Sequence, residues 1–223
     1  MSLFDTLKTF FLRIINSDSK ALFYSMLKSR INILDVGCGN DSVRNIKTYF
    51  PNSNYTGLDI HDFNLTKDSK KLMQNYFIFT SKKFDIGIDK LNKKYDLILS
   101  YHNLEHCEKP YDVLHAMMKK LKKNGYICLR FPNSNSINFP SREGTLNYYD
   151  DHTHQATPPD FKKICNILNQ YEVKFIIKKK AYKPLFQFLI GFLFEPLSFI
   201  LKKNMPCTWE YYGFESVIYA KKT

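Results

Sequence analysis

The stretch ILDVGCGNDS, residues Ile33–Ser42, decides the fold of this chain. An apolar run reaches an acid at Asp35, and two glycines, Gly37 and Gly39, follow with one residue between them. Such glycines allow a tight turn whose backbone N–H groups approach a ligand closely, as in nucleotide-binding loops. A diphosphate normally requires a third glycine and a loop without negative charge, whereas Asp41 places a carboxylate there. The loop therefore favours a positively charged nucleoside over a dinucleotide.

Short apolar segments alternate with amphipathic helical segments from residue 31 onward. Seven strands are predicted, over residues 31–36, 53–60, 75–80, 95–100, 126–131, 171–179 and 211–222. Helices are predicted after a cap at Ser81, over residues 110–123 with a stop at Asn124-Gly125, and after a cap at Thr157. This alternation predicts a doubly wound, mostly parallel sheet with helices on both faces.

Polar segments follow the predicted strands at their carboxyl ends, where ligands bind in sheets of this kind. We expect one crevice to be bordered by Asp35 to Gly39, Asp59, Thr80-Ser81 and Ser100 to His106. Asp59 ends the second strand, 22 residues after Gly37, where a carboxylate can accept hydrogen bonds from two ribose hydroxyls.

Four motifs in residues 31–135 resemble the motif series of class I S-adenosylmethionine-dependent methyltransferases: ILDVGCGN, YTGLDI, YDLILSYHNLEH and LKKNGYICLRFPN. The resemblance implies an α/β, Rossmann-like sheet of seven mostly parallel strands with a reversed last strand. It also implies S-adenosylmethionine as the cofactor, whose sulfonium and ammonium groups suit a loop that carries carboxylates. Two departures stand out: Asp41 occupies the place of a third glycine, and Thr80-Ser81 replaces the usual acid after the third strand.

The resemblance further implies which residues hold the cofactor. Asp35 would contact the methionine amino group through water, and Asp59 would bind the ribose hydroxyls. The remaining predicted cofactor residues are Gly37, Cys38 and Gly39 in the loop, Ile60 beside Asp59, Thr80 and Ser81 beside the adenine, and Ser100 and Tyr101 at the methionyl part.

Two histidine pairs are candidates for the chemistry. His102 and His106 follow the fourth strand at the reactive end of the predicted crevice, and a histidine is a common general base for a hydroxyl acceptor. We predict that His102 or His154 is the base and that Asp151 or Glu105 orients it. The structural alternative is that Glu105-His106 only orders the loop before the next helix.

The second pair lies in a long polar and aromatic segment, residues 139–161, part of which (GTLNYYDDHTH) resembles a segment found in one subset of these methyltransferases. Long loops in compact domains are often functional. Arg142, Tyr148, Tyr149 and His152 are therefore predicted to bind the substrate, the alternative being a loop stabilised by its own hydrogen bonds. The Asp/Asn-Pro-Pro-aromatic loop that methylates base nitrogens in the family is absent after the fourth strand, which favours an oxygen acceptor.

No metal ligand set is predicted, because no standard ligand spacing is completed. A rival hypothesis is nevertheless a zinc protein of the same fold that uses His102, His152 and His154. Two further rivals are a nicotinamide-dependent reductase, which shares the glycines and Asp59, and an RNA-binding methyltransferase.

The chain has 223 residues, which suits one domain, and a formal net charge of +12. Lysines occur in short clusters and not in one basic stripe with interleaved aromatics, so the sequence does not predict nucleic acid as a partner. Five cysteines without a CxxC pair indicate a cytoplasmic protein. Residues 1–30 are predicted to form a helical cap, and residues 31–223 the domain itself, with insertions at about 132–157 and 182–206.

The second insertion contains a strongly apolar stretch, residues 184–201. A bilayer span needs about 20 apolar residues, and the Glu195-Pro196 pair argues against one. Three interpretations stay open: a lid over the substrate pocket, a dimer interface, or a surface helix that contacts an anionic membrane with Lys202 and Lys203 beside it. In the membrane case a lipid-linked glycan or another envelope precursor is a natural acceptor.

Overall fold

The computed structural model describes residues 23–24, 27, 30–62 and 64–223, and the structural statements below concern those residues. Most of the predicted N-terminal helical cap lies outside them, although Phe23 and Tyr24 are helical and buried. The chain divides into two compact units. The sheet unit comprises Ser29–Ser134, Thr153–Lys180 and Ser216–Thr223, and the accessory unit comprises Met1–Lys28, Asn135–His152 and Ala181–Glu215.

Seven strands form one sheet: β1 (Asn32–Val36), β2 (Asn54–Asp59), β3 (Asn75–Ile78), β4 (Tyr95–Tyr101), β5 (Leu121–Pro132), β6 (Val173–Lys179) and β7 (Glu215–Lys222). Their order is β3-β2-β1-β4-β5-β7-β6. The strands β1 to β5 pair in parallel, and β7 runs antiparallel to β6. The predicted Rossmann-like fold with a reversed last strand is confirmed.

The direction in which strands are added to the sheet reverses between β1 and β4, and this reversal matters for function. From β1 the chain builds outward through β2 and β3, and then returns to place β4 on the other side of β1. In sheets of this kind ligands bind beyond the carboxyl ends of the strands at such a switch, so the loops after β1 and β4 border the expected site.

Five helices belong to the sheet unit: α1 (Ser42–Tyr49), α2 (Lys67–Lys71), α3 (Phe84–Asp89), α4 (Pro110–Lys120) and α5 (Phe161–Asn169). The apolar stripe of α4, which includes Val113, Leu114 and Met117, is buried against the sheet residues Ile98 and Leu129 in one continuous core. Burial of each such side chain contributes about 1.5–3 kcal/mol to folding, so this layer keeps β4 and its loop in place.

Three predicted helix boundaries are wrong. Ser81 is not an α-helical cap, because Ser81–Lys83 form a 3-10 turn and α3 begins only at Phe84. Thr157 is not the cap of α5: Asp160 occupies that position and accepts a hydrogen bond from the Lys163 N–H at 2.6 Å. The predicted helix over residues 110–123 ends at Lys120, because Leu121 is already paired with Tyr95 in the sheet.

The accessory unit contains α6 (Leu185–Leu201) and α7 (Thr208–Tyr212). Tyr211 and Tyr212 were predicted to begin the last strand but belong to α7, which ends where Gly213 adopts φ of 70°. A Cβ atom at Gly191 would clash with the carbonyl of Cys207, so this glycine lets α6 lie directly against the start of α7. Within the described ranges, no helix combines the length and apolar character that a bilayer span requires.

Candidate functional site

The loop after β1 needs glycine at its first turn. The Gly37 N–H donates to the carbonyl of Leu58 at 2.8 Å, and Gly37 has φ of 82°, a conformation that strains any residue with a side chain. A Cβ atom at this position would lie 2.6 Å from Cβ of Asn103. The loops after β1 and β4 are therefore in direct contact, which brings two of the predicted site segments together.

Asp35 is buried at the end of β1, with only 1% of its surface exposed. Its Oδ2 accepts hydrogen bonds from the Ser42 hydroxyl at 2.6 Å and from the Tyr55 hydroxyl at 2.5 Å. Burial, and then the charge of Asp35, raises the pKa of Tyr55, so that its phenol stays protonated and keeps donating. Sequence reasoning missed Ser42 and Tyr55. The side chain of Tyr55 reaches Asp35 because β2 pairs with β1 in the register that aligns Tyr55 with Ile33.

Asp59 is positioned at the end of β2 to face the same loop. Its Oδ2 accepts from the Gly39 N–H at 2.9 Å, and its Oδ1 accepts from the Ile60 N–H at 2.7 Å. Each carboxylate oxygen has a second lone pair, so both can still accept a hydrogen bond from a ligand hydroxyl. This arrangement suits a ribose diol.

Two carboxylates, those of Asp35 and Asp59, act on the loop residue Cys38. Burial, and then the charges of Asp35 and Asp59, raises the pKa of the Cys38 thiol far above its usual range. Burial disfavours charge of either sign, but the two carboxylates disfavour a thiolate and would favour a cation such as a sulfonium nucleoside.

Asp41 provides a direct test of whether a cationic ligand fits. Its Oδ2 is paired with Nε of Arg44 at 2.7 Å, which offsets part of the negative charge expected from the sequence. Its Oδ1 is buried and has no hydrogen-bond partner among the described residues. A buried carboxylate oxygen without a partner is unfavourable, so a cationic or hydrogen-bond-donating ligand beside the loop would satisfy it. The residues present therefore fit S-adenosylmethionine.

The residues predicted to flank the adenine are exposed and polar. Thr80 precedes the 3-10 turn, and the Ser81 hydroxyl donates to Oε1 of Glu108 at 3.1 Å. At the end of β4, Ser100 is buried and accepts from Nδ2 of Asn103 at 3.4 Å, while the Tyr101 ring lies 5.8 Å from the Arg130 guanidinium. The contacts of these residues with a cofactor stay predictions.

His102 and Glu105 form a hydrogen-bonded pair in the loop after β4. Nδ1 of His102 lies 3.0 Å from Oε1 of Glu105, whose side chain is fully buried, whereas 28% of the His102 side chain is exposed. The backbone of His102 has φ of 49°, a left-handed conformation that is uncommon outside glycine and that clusters at functional sites. Glu105, one of the two predicted orienting acids, contacts His102.

His154 belongs to the sheet unit and lies beside His106, with ring centroids 4.8 Å apart. Two neighbours of His154 hold it there: the Gln155 N–H donates to the carbonyl of Glu105 at 2.8 Å, and the Thr153 hydroxyl lies 2.9 Å from Nδ1 of His106. Thr153 and Gln155 were missed from the sequence, because a contact across almost 50 residues leaves no local pattern. Residues on the same two segments, 104–112 and 155–159, line a cavity of about 360 Å³.

The predicted substrate residues lie in the accessory unit. Arg142 forms two hydrogen bonds to the carboxylate of Glu195, at 2.7 and 2.9 Å, and Tyr148 is fully buried. Tyr149 is exposed, and Asp151 and His152 follow a 3-10 turn. The roles assigned to these residues in substrate binding and in orienting the base stay predictions.

The loop itself is held by Asp150. Its carboxylate accepts from the Ser141 hydroxyl and from three backbone N–H groups, those of Arg142, Leu146 and Asn147. Burial alone would raise the pKa of Asp150, but these hydrogen bonds lower it overall. The segment is therefore stabilised by its own hydrogen bonds, as the structural alternative expected.

Comparison with known proteins agrees with this geometry. A family model described as a methyltransferase domain matches residues 27–189, which is most of the chain. A search of curated proteins gave no match.

Solved structures share the fold at low sequence identity. The plantazolicin methyltransferase BpumL, solved with a desmethylplantazolicin analogue and S-adenosylhomocysteine, is 19% identical with a TM-score of 0.58, over 98% of this chain and 88% of that one. A SAM-dependent methyltransferase from Archaeoglobus fulgidus is 21% identical with a TM-score of 0.50, over 96% and 99% of the two chains. The N-methyltransferase NodS from Bradyrhizobium japonicum, solved with S-adenosylhomocysteine, is 12% identical with a TM-score of 0.50, over 96% and 84%. The chain thus belongs to the methyltransferase-domain family and has the fold of enzymes that take a methyl group from S-adenosylmethionine.

Proposed function

We propose that this enzyme methylates a hydroxyl oxygen, on a small molecule or on a surface-glycan or envelope precursor. The observation that carries the proposal is the His102–Glu105 pair, with Nδ1 and Oε1 3.0 Å apart in the loop after β4. A partly exposed imidazole held by a buried carboxylate is the arrangement that accepts a proton from a hydroxyl.

Cofactor binding is assigned to the residues at the ends of β1 and β2. When bound, S-adenosylmethionine supplies an electrophilic methyl group on a sulfonium. The carboxylate of Asp59 would accept hydrogen bonds from the ribose hydroxyls, and Asp35 and Asp41 would provide negative charge near the cationic groups. Much of the rate acceleration in such a displacement comes from alignment, which the contact between Gly37 and Asn103 supports by fixing the two loops against each other.

His102 is assigned as the base. Its Nδ1–H would donate to Glu105, and the imidazole would take the acceptor's hydroxyl proton at Nε2 as the oxygen is alkylated. Glu105 holds this tautomer and stabilises the imidazolium that forms, as the acid does in other histidine–carboxylate pairs.

The choice of oxygen over nitrogen rests on the residues after β4. Ser100 to Asn103 occupy the place where the family's base-nitrogen methyltransferases carry Asp or Asn followed by Pro-Pro and an aromatic. NodS is an N-methyltransferase, but at 12% identity it shares only the fold with this chain.

The test is a His102→Asn variant. Asparagine is well tolerated at positive φ and cannot act as a base, so the fold and the affinity for S-adenosylhomocysteine should be retained. We expect turnover to fall by about 10²–10⁴-fold with radiolabelled S-adenosylmethionine and hydroxylated acceptors, free saccharides and a glycolipid extract. The control is His61→Asn, at an exposed position of the sheet unit. Unchanged turnover in His102→Asn, or methyl groups found on amine nitrogen, would contradict the proposal.

We also propose that α6 contacts an anionic membrane surface, which would give access to a membrane-associated acceptor. Four large apolar side chains of α6 are each at least 69% exposed: Leu185, Leu193, Phe199 and Ile200. Exposure of so many apolar side chains to water is unfavourable and marks a surface that contacts a partner or a membrane. Lys202 and Lys203 follow the helix directly, and the chain carries a net charge of +12. An exposed apolar helix beside cationic residues is the pattern of an interfacial membrane helix.

Co-sedimentation with vesicles tests this contact. We expect the protein to sediment with vesicles that contain phosphatidylglycerol and not with pure phosphatidylcholine, and a Leu193→Ser, Ile200→Ser variant to stay in the supernatant. The matched control is Ile86→Ser, an exposed isoleucine on the sheet unit. Absence of sedimentation with either vesicle would refute the contact, and a dimer that the double variant dissociates would assign α6 to a second copy of the chain.

A further inference from the structure

A cluster of metal-ligating side chains lies beside the proposed base. The donor atoms of Glu105, His106 and His154 all lie within 4.8 Å of one another. All three residues belong to the sheet unit. The set differs from the zinc ligands that the sequence suggested, since His152 is not part of it and His102 contacts Glu105 instead.

One oxygen of the Glu105 carboxylate is buried without a hydrogen-bond partner among the described residues. The side chain is fully buried, and Oε1 is used by His102 at 3.0 Å. Oε2 is also buried and has no hydrogen-bond partner among the described residues. Such an oxygen is costly to bury without compensation, and native structures rarely leave one without a protein, water or metal partner.

His106 presents the correct nitrogen to the cluster. Its Nδ1 lies 3.3 Å from the backbone carbonyl of Thr153, to which Nδ1–H can donate. In the tautomer that donates from Nδ1 to Thr153 the lone pair lies on Nε2, and metal-bound histidines almost always use their other ring N–H in this way.

The segment that carries His154 is fixed on both sides of it. On one side Thr153 contacts the ring of His106, and on the other the side-chain amide of Gln155 donates to the carbonyl of His106 at 3.2 Å. Ligands from two distant parts of the chain are therefore brought together before any ion binds.

Two imidazoles and one carboxylate are the protein ligands of many catalytic zinc sites, which keep a fourth position open. Around a tetrahedral zinc ion the donor atoms are about 3.4 Å apart, so small side-chain rotations would close this cluster on the ion. Imidazole ligands favour zinc and its neighbours in the transition series over magnesium or calcium.

We propose that Glu105, His106 and His154 form a binding site for one divalent transition-metal ion, with Zn²⁺ as the expected ion. Glu105 then links two roles, since Oε1 orients His102 while Oε2 coordinates the metal. Binding of the ion does not depend on the proposed function; only the use of its open position to hold an acceptor hydroxyl does.

Cobalt titration of the chelator-treated full chain tests the site. We expect one equivalent of Co²⁺ to bind with the intense visible absorption of a tetrahedral ion and to be displaced by Zn²⁺. Glu105→Gln, His106→Ala and His154→Ala should each weaken the affinity by at least about a hundredfold, since even loss of a supporting partner costs 10–100-fold. His152→Ala, two residues from a proposed ligand, should bind the ion normally.

Two further measurements distinguish loss of a metal ligand from loss of the fold. Binding of S-adenosylhomocysteine reports whether each variant keeps its fold, and X-ray absorption of the zinc-loaded wild-type chain reports the ligands directly, with two imidazoles and one carboxylate expected. No bound ion, affinity that survives loss of Glu105 and His106, or sulfur ligands in the absorption spectrum would overturn the proposal. Normal S-adenosylhomocysteine binding with no metal binding would overturn this inference and leave the proposed function intact.

Discussion

At the scale of single residues, Asp41 explains how the loop departs from its relatives. Asn40 and Asp41 both have left-handed backbones, with φ of 52° and 60°. Glycine adopts this conformation freely, and asparagine and aspartate are the side chains that tolerate it best. The position therefore requires an unusual backbone and not glycine itself, which leaves room for a carboxylate that contacts Arg44.

Replacement of Asp41 by glycine removes the carboxylate while the backbone can keep its left-handed conformation. We expect the free energy of unfolding to change by less than about 1 kcal/mol, because relief of the backbone offsets the loss of a half-exposed ion pair. Affinity for S-adenosylmethionine should fall by about two- to fivefold, and affinity for S-adenosylhomocysteine, which lacks the sulfonium charge, should fall less. Calorimetry with both ligands measures the difference, and an equal loss for both would mean that Asp41 does not sense the sulfonium.

Individual site residues could be predicted where a short motif contains them. Asp35, Gly37 and Asp59 lie at strand ends, so the sequence alone indicates their place and their chemistry. Their partners could not be predicted in the same way: the Tyr55 contact crosses strands and depends on register, and the Ser42 contact depends on how the loop turns into α1. The same limit applies to Gln155 and its contacts with the loop after β4.

At the scale of structural elements, Gly37 joins two loops. Alanine there would meet both the left-handed backbone and the side chain of Asn103 at 2.6 Å. We expect Gly37→Ala to lower the free energy of unfolding by about 1–3 kcal/mol and to weaken S-adenosylhomocysteine binding as well. Urea unfolding measures the first effect, with Asn45→Ala at an exposed position of α1 as the control within about 0.5 kcal/mol. A fully stable Gly37→Ala variant would show that the loops adjust independently.

Element boundaries were less predictable than element types. The start of α5 was assigned to Thr157, but Asp160 is the residue whose carboxylate accepts from an N–H of the first turn. The end of α4 depends on tertiary contacts, since Leu121 pairs with Tyr95 before the expected stop at Asn124-Gly125. In both cases the local sequence allows more than one helix boundary, and packing against the rest of the chain determines which one is used.

Arg142 illustrates the same limit in the accessory unit. An arginine in a polar loop was predicted to bind substrate, yet its side chain is 2% exposed and is bound to Glu195 on α6. Glu195 also accepts a hydrogen bond from the Tyr212 hydroxyl at 2.6 Å. This one acid on the apolar helix α6 therefore contacts both α7 and the loop that contains Arg142.

A double-mutant cycle measures this pair. Arg142→Met should destabilise the chain by about 1–3 kcal/mol, because it leaves the largely buried Glu195 carboxylate with Tyr212 as its donor but without its cationic partner. Arg142→Met combined with Glu195→Met should recover much of that loss in urea unfolding. If Arg142→Met is instead stable and only raises the KM of an acceptor, Arg142 binds substrate as the sequence suggested.

At the scale of the whole molecule, the topology was predictable because it follows from the order of motifs. Four motifs in sequence indicated the ends of β1, β2 and β4 and the start of β5, and the alternating pattern supplied the rest. The division into a sheet unit and an accessory unit was not predicted, since Asn135–His152 and Ala181–Glu215 are held together by buried polar contacts such as that of Arg142 with Glu195.

Stability should decline on the acid side of neutrality. Burial opposes ionisation of Glu195, but the contacts with Arg142 and Tyr212 lower its pKa overall, and the pKa of Asp150 is lowered too. A depressed pKa contributes stability that is present above the unfolded-state value and is lost as the pH falls through the folded-state value. We expect the free energy of unfolding to fall between about pH 5 and pH 3, and to fall less steeply in the Arg142→Met, Glu195→Met variant. Equal pH dependence in both proteins would contradict this assignment.

The most direct test of the account is calorimetry of S-adenosylmethionine and NADH binding to the wild-type chain and to Asp59→Asn. The account predicts one site for S-adenosylmethionine, weakened about 10–100-fold in Asp59→Asn and unaffected in the exposed control Asp62→Asn, and no binding of NADH. Binding of NADH with no response to S-adenosylmethionine, or full affinity in Asp59→Asn, would contradict it.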